Sequence, residues 1–487
     1  MAAEGDGIWD VVVIGGGPPG ENAAQYAIQG TGRSAVIVEH ELVGGECSYW
    51  ACMPSKALLR PIELLGAARA MPGVRGIVAG REVDVAEVLA RRDGFTSNHD
   101  DASQVAWAKG IGIDVLRGHG RLVGERAVEV TGPDGSVRVL RARHAVVIAT
   151  GTTAAVPPVD GLRAALPWTS RDVTNLHEVP RRVVVLGGGV VACESALWLR
   201  GLGAEEVTVL ERGPGLLSKS EPFAGRLVAD RFAELGVRVL TGTSLESVRR
   251  DDPKDTGEGR VHGGAVHVTA AGTGITADEL VVAAGRTPST GDLGLGAVGL
   301  AEGGYVDVED HLGVRGVAGE WLYAVGDVNG RALLTHMGKY QARVCGSVIA
   351  ARAEGRAVDG PRFRASADHA QVPQVAFTDP QVASVGLTEA AAREAGTDVE
   401  TVELDLAALA GSALLRDDYK GRAKLVIDRA TDVLVGATFV GPETAELVHA
   451  ATIAVVGKVP METLWHAVPS YPTVSEIWLR LLESRGS

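Results

Sequence analysis

The chain places two cysteines five positions apart in Gly44-Gly45-Glu46-Cys47-Ser48-Tyr49-Trp50-Ala51-Cys52-Met53-Pro54-Ser55-Lys56. Thiols at the start of a helix have lowered pKa values, which makes thiolates available at neutral pH, and Lys56 adds positive charge nearby. The spacing does not suit a metal. Zinc sites pair one C-x-x-C with another, whereas the remaining cysteines, Cys193 and Cys345, stand alone and read as packing residues. Four cysteines in 487 residues are also no disulfide framework. The chemistry expected here is that of reactive thiolates at Cys47 and Cys52.

The elements that must position this stretch lie directly before it. Ile8 to Ile14 is a short apolar run of the kind that forms a buried parallel strand, and Ala35 to Glu39 is a second. Between them come the turn Gly15-Gly16-Gly17-Pro18-Pro19-Gly20 and an Ala-rich helix over Glu21 to Gly30. In this G-x-G-x-x-G pattern Gly15 permits the tight turn, Gly17 admits a pyrophosphate and Gly20 lets helix and strand pack closely. Glu39, 24 residues after Gly15, ends the second strand where a carboxylate can bind ribose hydroxyls. Pro18 and Pro19 are tolerated in a first helical turn, although they remove possible donors to phosphate.

The same unit recurs at Arg181 to Glu211, with a strand at Val183–Leu186, a helix from about Val190 to Arg200 and a strand at Val207–Leu210. Gly187-Gly188-Gly189-Val190-Val191-Ala192 is its glycine turn, with Gly187 and Gly189 in the first two roles. Glu211 again lies 24 residues on; its carboxylate pairs with a free 2′-hydroxyl and repels a 2′-phosphate, which favours NADH and leaves NADPH open. Arg212 is expected to point to the opposite side of the strand. Two such units about 170 residues apart argue for two nucleotide domains rather than one sheet.

Boundaries follow composition. Thr152 to Pro158 reads as a linker, Asp251 to Gly257 as a polar surface loop, and Val281 to Pro288 as a buried strand ending in a turn. Past Gly360-Pro361, alternating segments such as Ala423-Lys424-Leu425-Val426-Ile427-Asp428 predict an antiparallel sheet with flanking helices. Apolar residues make up 46% and charged residues 22%, ordinary for a globular protein. With 47 Lys plus Arg against 61 Asp plus Glu, the net charge of −14 disfavours nonspecific binding to nucleic acid or anionic membranes. The acidic opening Met1-Ala2-Ala3-Glu4-Gly5-Asp6-Gly7 is no secretory signal, and the most apolar stretch, Val183 to Leu199, contains Glu194 and three glycines. The expectation is a cytoplasmic, soluble enzyme.

On these residues the chain resembles the class I pyridine nucleotide–disulfide oxidoreductases, the group of lipoamide dehydrogenase, glutathione reductase and mercuric reductase. The resemblance runs over essentially the whole length. Its most specific part is G-G-x-C-x-x-x-x-C-x-P-S-K at Gly44 to Lys56, with Gly45 its second glycine. Further matches are Ala149-Thr150-Gly151, Gly285-Arg286-x-Pro288 and Ala324-Val325-Gly326-Asp327. The resemblance implies an α/β chain with two Rossmann-like dinucleotide-binding domains and a C-terminal α+β dimerisation domain. FAD would be held by residues 1–155 and 281–358, the nicotinamide cofactor by 156–280, and a homodimer built on 359–487. It further implies a redox disulfide in which Cys52 is the thiol next to the flavin and Cys47 attacks substrate. A Lys56–Glu194 pair would lie beside the isoalloxazine, and Asp327 would contact the ribityl–pyrophosphate region.

The pattern departs from most disulfide reductases at one end. Where they carry His-Pro-Thr/Ser-x-x-Glu, this chain has Tyr471-Pro472-Thr473-Val474-Ser475-Glu476. An ordinary tyrosine, with a pKa of about 10 against about 6.5 for histidine, is a poor general base at neutral pH. His466 lies nearby in sequence, although a structural role suits it better. Mercuric reductase shares the tyrosine and the valine matched by Val190, but the residues past Glu476 hold no cysteine. Trp50 is expected to narrow the substrate side of the disulfide. The resulting reading is an FAD- and NAD(P)H-dependent oxidoreductase that passes electrons through Cys47–Cys52 to a small disulfide or electrophile. The rivals are a diaphorase reducing quinones, oxygen or metal ions from the flavin, and a flavin-binding subunit without turnover.

Overall fold

The computed structural model describes residues 7–486; Met1 to Asp6, on which the reading of an acidic opening rests, and Ser487 lie outside the described residues. The chain forms two compact units. The first joins Met1–Met53, Asp93–Thr153 and Arg286–His369, and the second joins Pro54–Arg92, Ala154–Gly285 and Ala370–Ser487.

The first unit is built on a seven-stranded sheet. Strand β1 (Ile8–Ile14) lies between β2 (Ala35–Glu39) and the strand Val137–Ile148, parallel to both. Ile113–Arg117 extends the sheet beyond β2, and Leu322–Ala324 pairs in parallel with Val137–Ile148. Val11, Val12 and Val13 are wholly buried. Both faces of the sheet are covered, which is why these strands read as unbroken apolar runs. Helix α1 (Pro18–Ile28) starts three residues earlier than its sequence suggested, with prolines at its first two positions, where no intrahelical N–H is lost. It packs against the long helix Thr335–Ala353.

The second unit contains three sheets. A parallel four-stranded sheet runs Val237–Leu240, Glu206–Leu210, Arg182–Leu186, Glu279–Val282. It carries the helix Val190–Gly201 after the second glycine turn. A three-stranded antiparallel sheet spans residues 245–277. The five-stranded antiparallel sheet of residues 373–441 is the α+β region expected from the alternating segments, and it includes Arg422–Asp428. Lys424 from this sheet is buried between Glu221 and Glu389, with its Nζ at 2.9 and 2.7 Å from their carboxylates. The fold class is therefore the α/β architecture expected, with two Rossmann-like sheets and a C-terminal α+β region. Residues 152–154, read as linker, form a short strand. Among the described residues no helix is long and apolar enough to cross a membrane.

Candidate active site

The first glycine turn is a cradle with no room for side chains along its floor. Gly15 has φ +104°, and a Cβ there would meet the Ala149 carbonyl at 2.4 Å; one on Gly20 would meet the Gly15 carbonyl at 2.0 Å. Above Gly17, by contrast, the space is open, with only a proline carbon at 3.9 Å. Glu39 is held over this turn: its carboxylate accepts from Gly16 N at 2.6 Å and from Glu41 N at 2.7 Å. Thr150 Oγ1 and Glu21 Oε1 are buried in the same unit without a hydrogen-bond partner among the described residues. Open room at the second glycine, a fixed carboxylate and unspent polar atoms fit a dinucleotide such as FAD. Burial pushes the Glu21 carboxyl up to about 7, against a pull from Lys339.

Asp327 enters the same unit through a hydrogen-bonded chain. The Thr152 hydroxyl donates to its carboxylate at 2.8 Å and accepts from Arg286 Nε at 2.9 Å. Arg286 also donates to the Thr152 carbonyl at 2.6 Å and lies 4.0 Å from the Glu46 carboxylate. Burial raises the Asp327 carboxyl above its ordinary range, while the Thr152 bond and the Arg286 charge hold it down. Thr152 was not singled out in the sequence, although it directly follows Ala149-Thr150-Gly151.

The cysteines sit at two helix starts. Gly44 and Gly45 both have positive φ, at 112° and 56°, and a Cβ on Gly45 would press the Gly17 Cα at 2.8 Å. Glycine thus lets the turn after β2 lie against the first glycine turn. From it rise the short helix α2 (Gly45–Tyr49), carrying Cys47, and α3 (Cys52–Ala70), which opens on Cys52. The Thr335 hydroxyl lies 3.4 Å from Cys52 Sγ, and Cys52 and Thr335 are the side chains that act on the Cys47 thiol. The lowered thiol pKa expected from the helix starts does not hold for Cys47. Its hydrogen bond with Cys52 and its burial push it well above the ordinary thiol range, and Thr335 offsets only part of this. A neighbouring thiol and burial both oppose ionisation of Cys47, and they outweigh the pull of the helix start. Trp50 is likewise not placed over an open face: it is 5% exposed and packs against Tyr49 and His99. Thr335 and His99 are site residues the sequence did not reveal. Cys193 and Cys345 are fully buried packing residues, as read, and burial pushes both thiols up.

In the second unit Lys56 and Glu194 meet. Lys56 Nζ is 2.6 Å from Glu194 Oε2, and Phe377 N donates to the other carboxylate oxygen at 2.8 Å. The ammonium also lies 4.9 Å from the Phe377 ring centre. Glu194 is 3% exposed. In the second glycine turn a Cβ on Gly187 would meet the Ala283 carbonyl at 2.4 Å, while Gly189 faces open space. The Glu211 carboxylate folds over Gly188, 2.6 Å from where a Cβ would be, and accepts from Gly213 N. Glu211 and Arg212 lie just past the strand, so strand alternation does not decide where Arg212 points.

Tyr471 is 74% exposed. Glu476 is buried and binds Arg480 at 2.8 Å, with its second oxygen unpartnered among the described residues. His466 is exposed. Ile453, Val456, Trp465 and Val468 are exposed apolar residues of the same C-terminal stretch.

Known proteins resemble this chain in sequence and fold. A family model described as pyridine nucleotide-disulphide oxidoreductase matches residues 9–355, and its dimerisation-domain counterpart matches residues 372–481. A dihydrolipoyl dehydrogenase of Chlorobaculum tepidum is 33% identical over 96% of this chain and 95% of its own. A mercuric reductase of Staphylococcus aureus is 30% identical over 97% of this chain and 81% of its own. Among solved structures, LpdA of Mycobacterium tuberculosis superposes with a TM-score of 0.81 at 24% identity, covering 98% of this chain and all of that one. The HOCl-induced flavoprotein disulfide reductase RclA of Escherichia coli gives 0.80 at 23% identity, over 98% and 99%. At those identities the likeness is one of fold.

Proposed function

We propose that this chain, which belongs to the pyridine nucleotide–disulphide oxidoreductase family, uses NADH and FAD to reduce its own Cys47–Cys52 pair and, with it, a small disulfide or electrophile. The family's enzymes are FAD-dependent and draw on NAD(P)H. Residues 1–155 and 281–358 would hold FAD, through the Gly15–Gly20 turn, Glu39, Thr150, Gly151, Arg286 and Asp327. Residues 156–280 would hold the nicotinamide nucleotide through Gly187, Gly189 and Glu211. Bound FAD supplies two-electron transfer between nicotinamide and the thiol pair.

The observation that carries this reading is the placing of Cys47 and Cys52 at two successive helix starts, with the Thr335 hydroxyl 3.4 Å from Cys52 Sγ. In the reduced pair Cys47 gives up its proton and attacks as the thiolate on one sulfur of a substrate disulfide, expelling the first thiolate, which takes up a proton. Cys52 then attacks the Cys47 sulfur, which releases the second thiol and restores the Cys47–Cys52 bond. Lys56, fixed by Glu194, keeps a positive charge one turn along the helix from Cys52. The test is an anaerobic NADH titration followed by alkylation and mass counting of thiols. Two new thiols at Cys47 and Cys52 per NADH are expected, and unchanged cysteines would refute the reading.

A second reading, direct reduction of quinones, oxygen or metal ions without the cysteines, is favoured by one feature. Cys47 is held protonated, and the position of the usual histidine base is Tyr471. Replacing both cysteines by serine separates the two: turnover lost supports the disulfide reading, turnover kept supports this one. The proposal includes a cytoplasmic homodimer formed through residues 359–487, with Tyr471 facing the partner's disulfide. The exposed Ile453, Val456, Trp465 and Val468 support such an interface. A monomer by light scattering would refute it.

A further inference from the structure

Ser97, Asn98 and His99 are three successive non-glycine residues with φ of 49°, 52° and 59°. The left-handed region is disfavoured for an L-residue because its Cβ crowds the following carbonyl oxygen. A run of three persists only where the surroundings over-determine it, and such strain gathers at functional sites. Those surroundings are visible. His99 N donates to the Thr96 carbonyl at 2.8 Å, and the Thr96 hydroxyl donates to the Asp93 carbonyl at 3.1 Å. Two residues on, Asp101 accepts from Val43 N at 2.7 Å and pairs with Arg117, which donates to the Glu41 carbonyl at 2.7 Å. The Tyr49 hydroxyl closes the set by donating to the Val43 carbonyl at 3.0 Å. The strained turn is thereby stitched to residues 41–49, which lead into the cysteines.

What this stitching delivers is one imidazole. The His99 ring lies 5.4 Å from the Trp50 ring and 5.9 Å from that of Tyr49, and the two aromatic residues meet edge to face at 5.7 Å. Trp50 is buried and stands between Cys47 and Cys52 in the chain. We propose that His99 is a positioning residue for the redox pair: by packing Trp50 in place it holds Cys47 within reach of Cys52. The inference rests on the working-disulfide reading above. Its physics is entropic. With Trp50 loosened, the reduced segment spreads over more conformations, while the disulfide-closed one cannot. The two thiols then meet at lower effective concentration, and the disulfide becomes easier to reduce.

The test is the exchange of FAD-loaded protein with glutathione at fixed pH, quenched with acid, alkylated and read by mass. In that exchange the Cys47–Cys52 disulfide and two glutathiones become the dithiol and glutathione disulfide. His99→Ala is expected to move the equilibrium at least tenfold toward the dithiol, about 30 mV for two electrons. His99→Phe, which keeps a ring on Trp50, is expected to stay near the parent value. Trp50→Ala should shift it as His99→Ala does, and the double variant should add nothing further. Should the alanine variant not accumulate, His99→Gln removes the ring while keeping polarity and carries the same expectation. An unchanged constant in the ring-less variants, or a His99→Phe shift as large as theirs, overturns the proposal. A parent protein that forms no Cys47–Cys52 disulfide at any glutathione ratio overturns the disulfide reading itself, a result visible before any variant is made.

Discussion

Lys56 and Glu194 are chemically symmetric partners in unequal surroundings, so removing one should not equal removing the other. The Glu194 side chain is 4% exposed and that of Lys56 35%. Lys56→Met leaves the aliphatic stem against Phe377 but strands a buried carboxylate with one remaining donor, Phe377 N. Breaking a buried pair in this sense costs about 3–5 kcal/mol, and the remaining N–H places the cost near the lower end. Glu194→Gln leaves an ammonium that water can reach, a loss of about 1 kcal/mol or less. The difference of about 2–3 kcal/mol corresponds to roughly 3–5 °C in the melting of a unit of about 290 residues. Scanning calorimetry of both flavin-loaded variants at one scan rate measures it. Equal melting temperatures, or a lower one for Glu194→Gln, would refute the claim that burial of the carboxylate governs this pair.

Three further outcomes follow from the site. Because Cys47 is pushed up by Cys52 and by burial, its thiolate is a minor species at neutral pH. Its alkylation rate in the reduced protein should therefore climb about tenfold per pH unit between pH 7 and 9, and a plateau in that range would show an ordinary thiol. Tyr471→His supplies a base of suitable pKa, so turnover of lipoamide or glutathione disulfide should rise by about a hundredfold; no gain with either would remove Tyr471 from the reaction. Glu211→Ala takes away the carboxylate folded over Gly188, and the kcat/KM preference for NADH over NADPH should fall about tenfold, equivalent to about 1.4 kcal/mol. An unchanged ratio would place the discrimination elsewhere.

The parallel strands were legible because burial on both faces leaves an unbroken apolar run, as in Val11-Val12-Val13. The glycine turns were legible because steric need fixes the residue type: nothing larger fits at Gly15 or Gly20. The pairing of Lys56 with Glu194 came from resemblance, since 138 residues separate them. Thr335 was hidden for the same reason, lying 283 residues from Cys52 with no pattern around it. His99 was hidden differently. Its turn has the backbone of a glycine-rich loop but is written Ser-Asn-His; the long-range bonds of Asp101 to Val43 and Arg117, rather than side-chain size, anchor the segment. Local reasoning misled at two points. A helix start lowers a thiol's pKa only where no second thiol and no burial oppose it, and spacing alone could not say that Trp50 turns inward.

Lys424 has a bearing on how such chains can be cut and recombined. Its side chain is 8% exposed, and its ammonium neutralises Glu221, which caps a helix beside the parallel four-stranded sheet, and Glu389 from its own region. Nearby, Asp379 answers Arg231 on that same helix as well as Arg416. A chain ending at residue 370 would keep Glu221 and Arg231 and lose both answering charges. Proteolytic trimming or gene fusion at this border would thus hand the fragment an interior acid with nothing to balance it. The C-terminal region behaves less as an exchangeable module than as half of a shared interior, and any exchange between relatives has to carry these charge partners together.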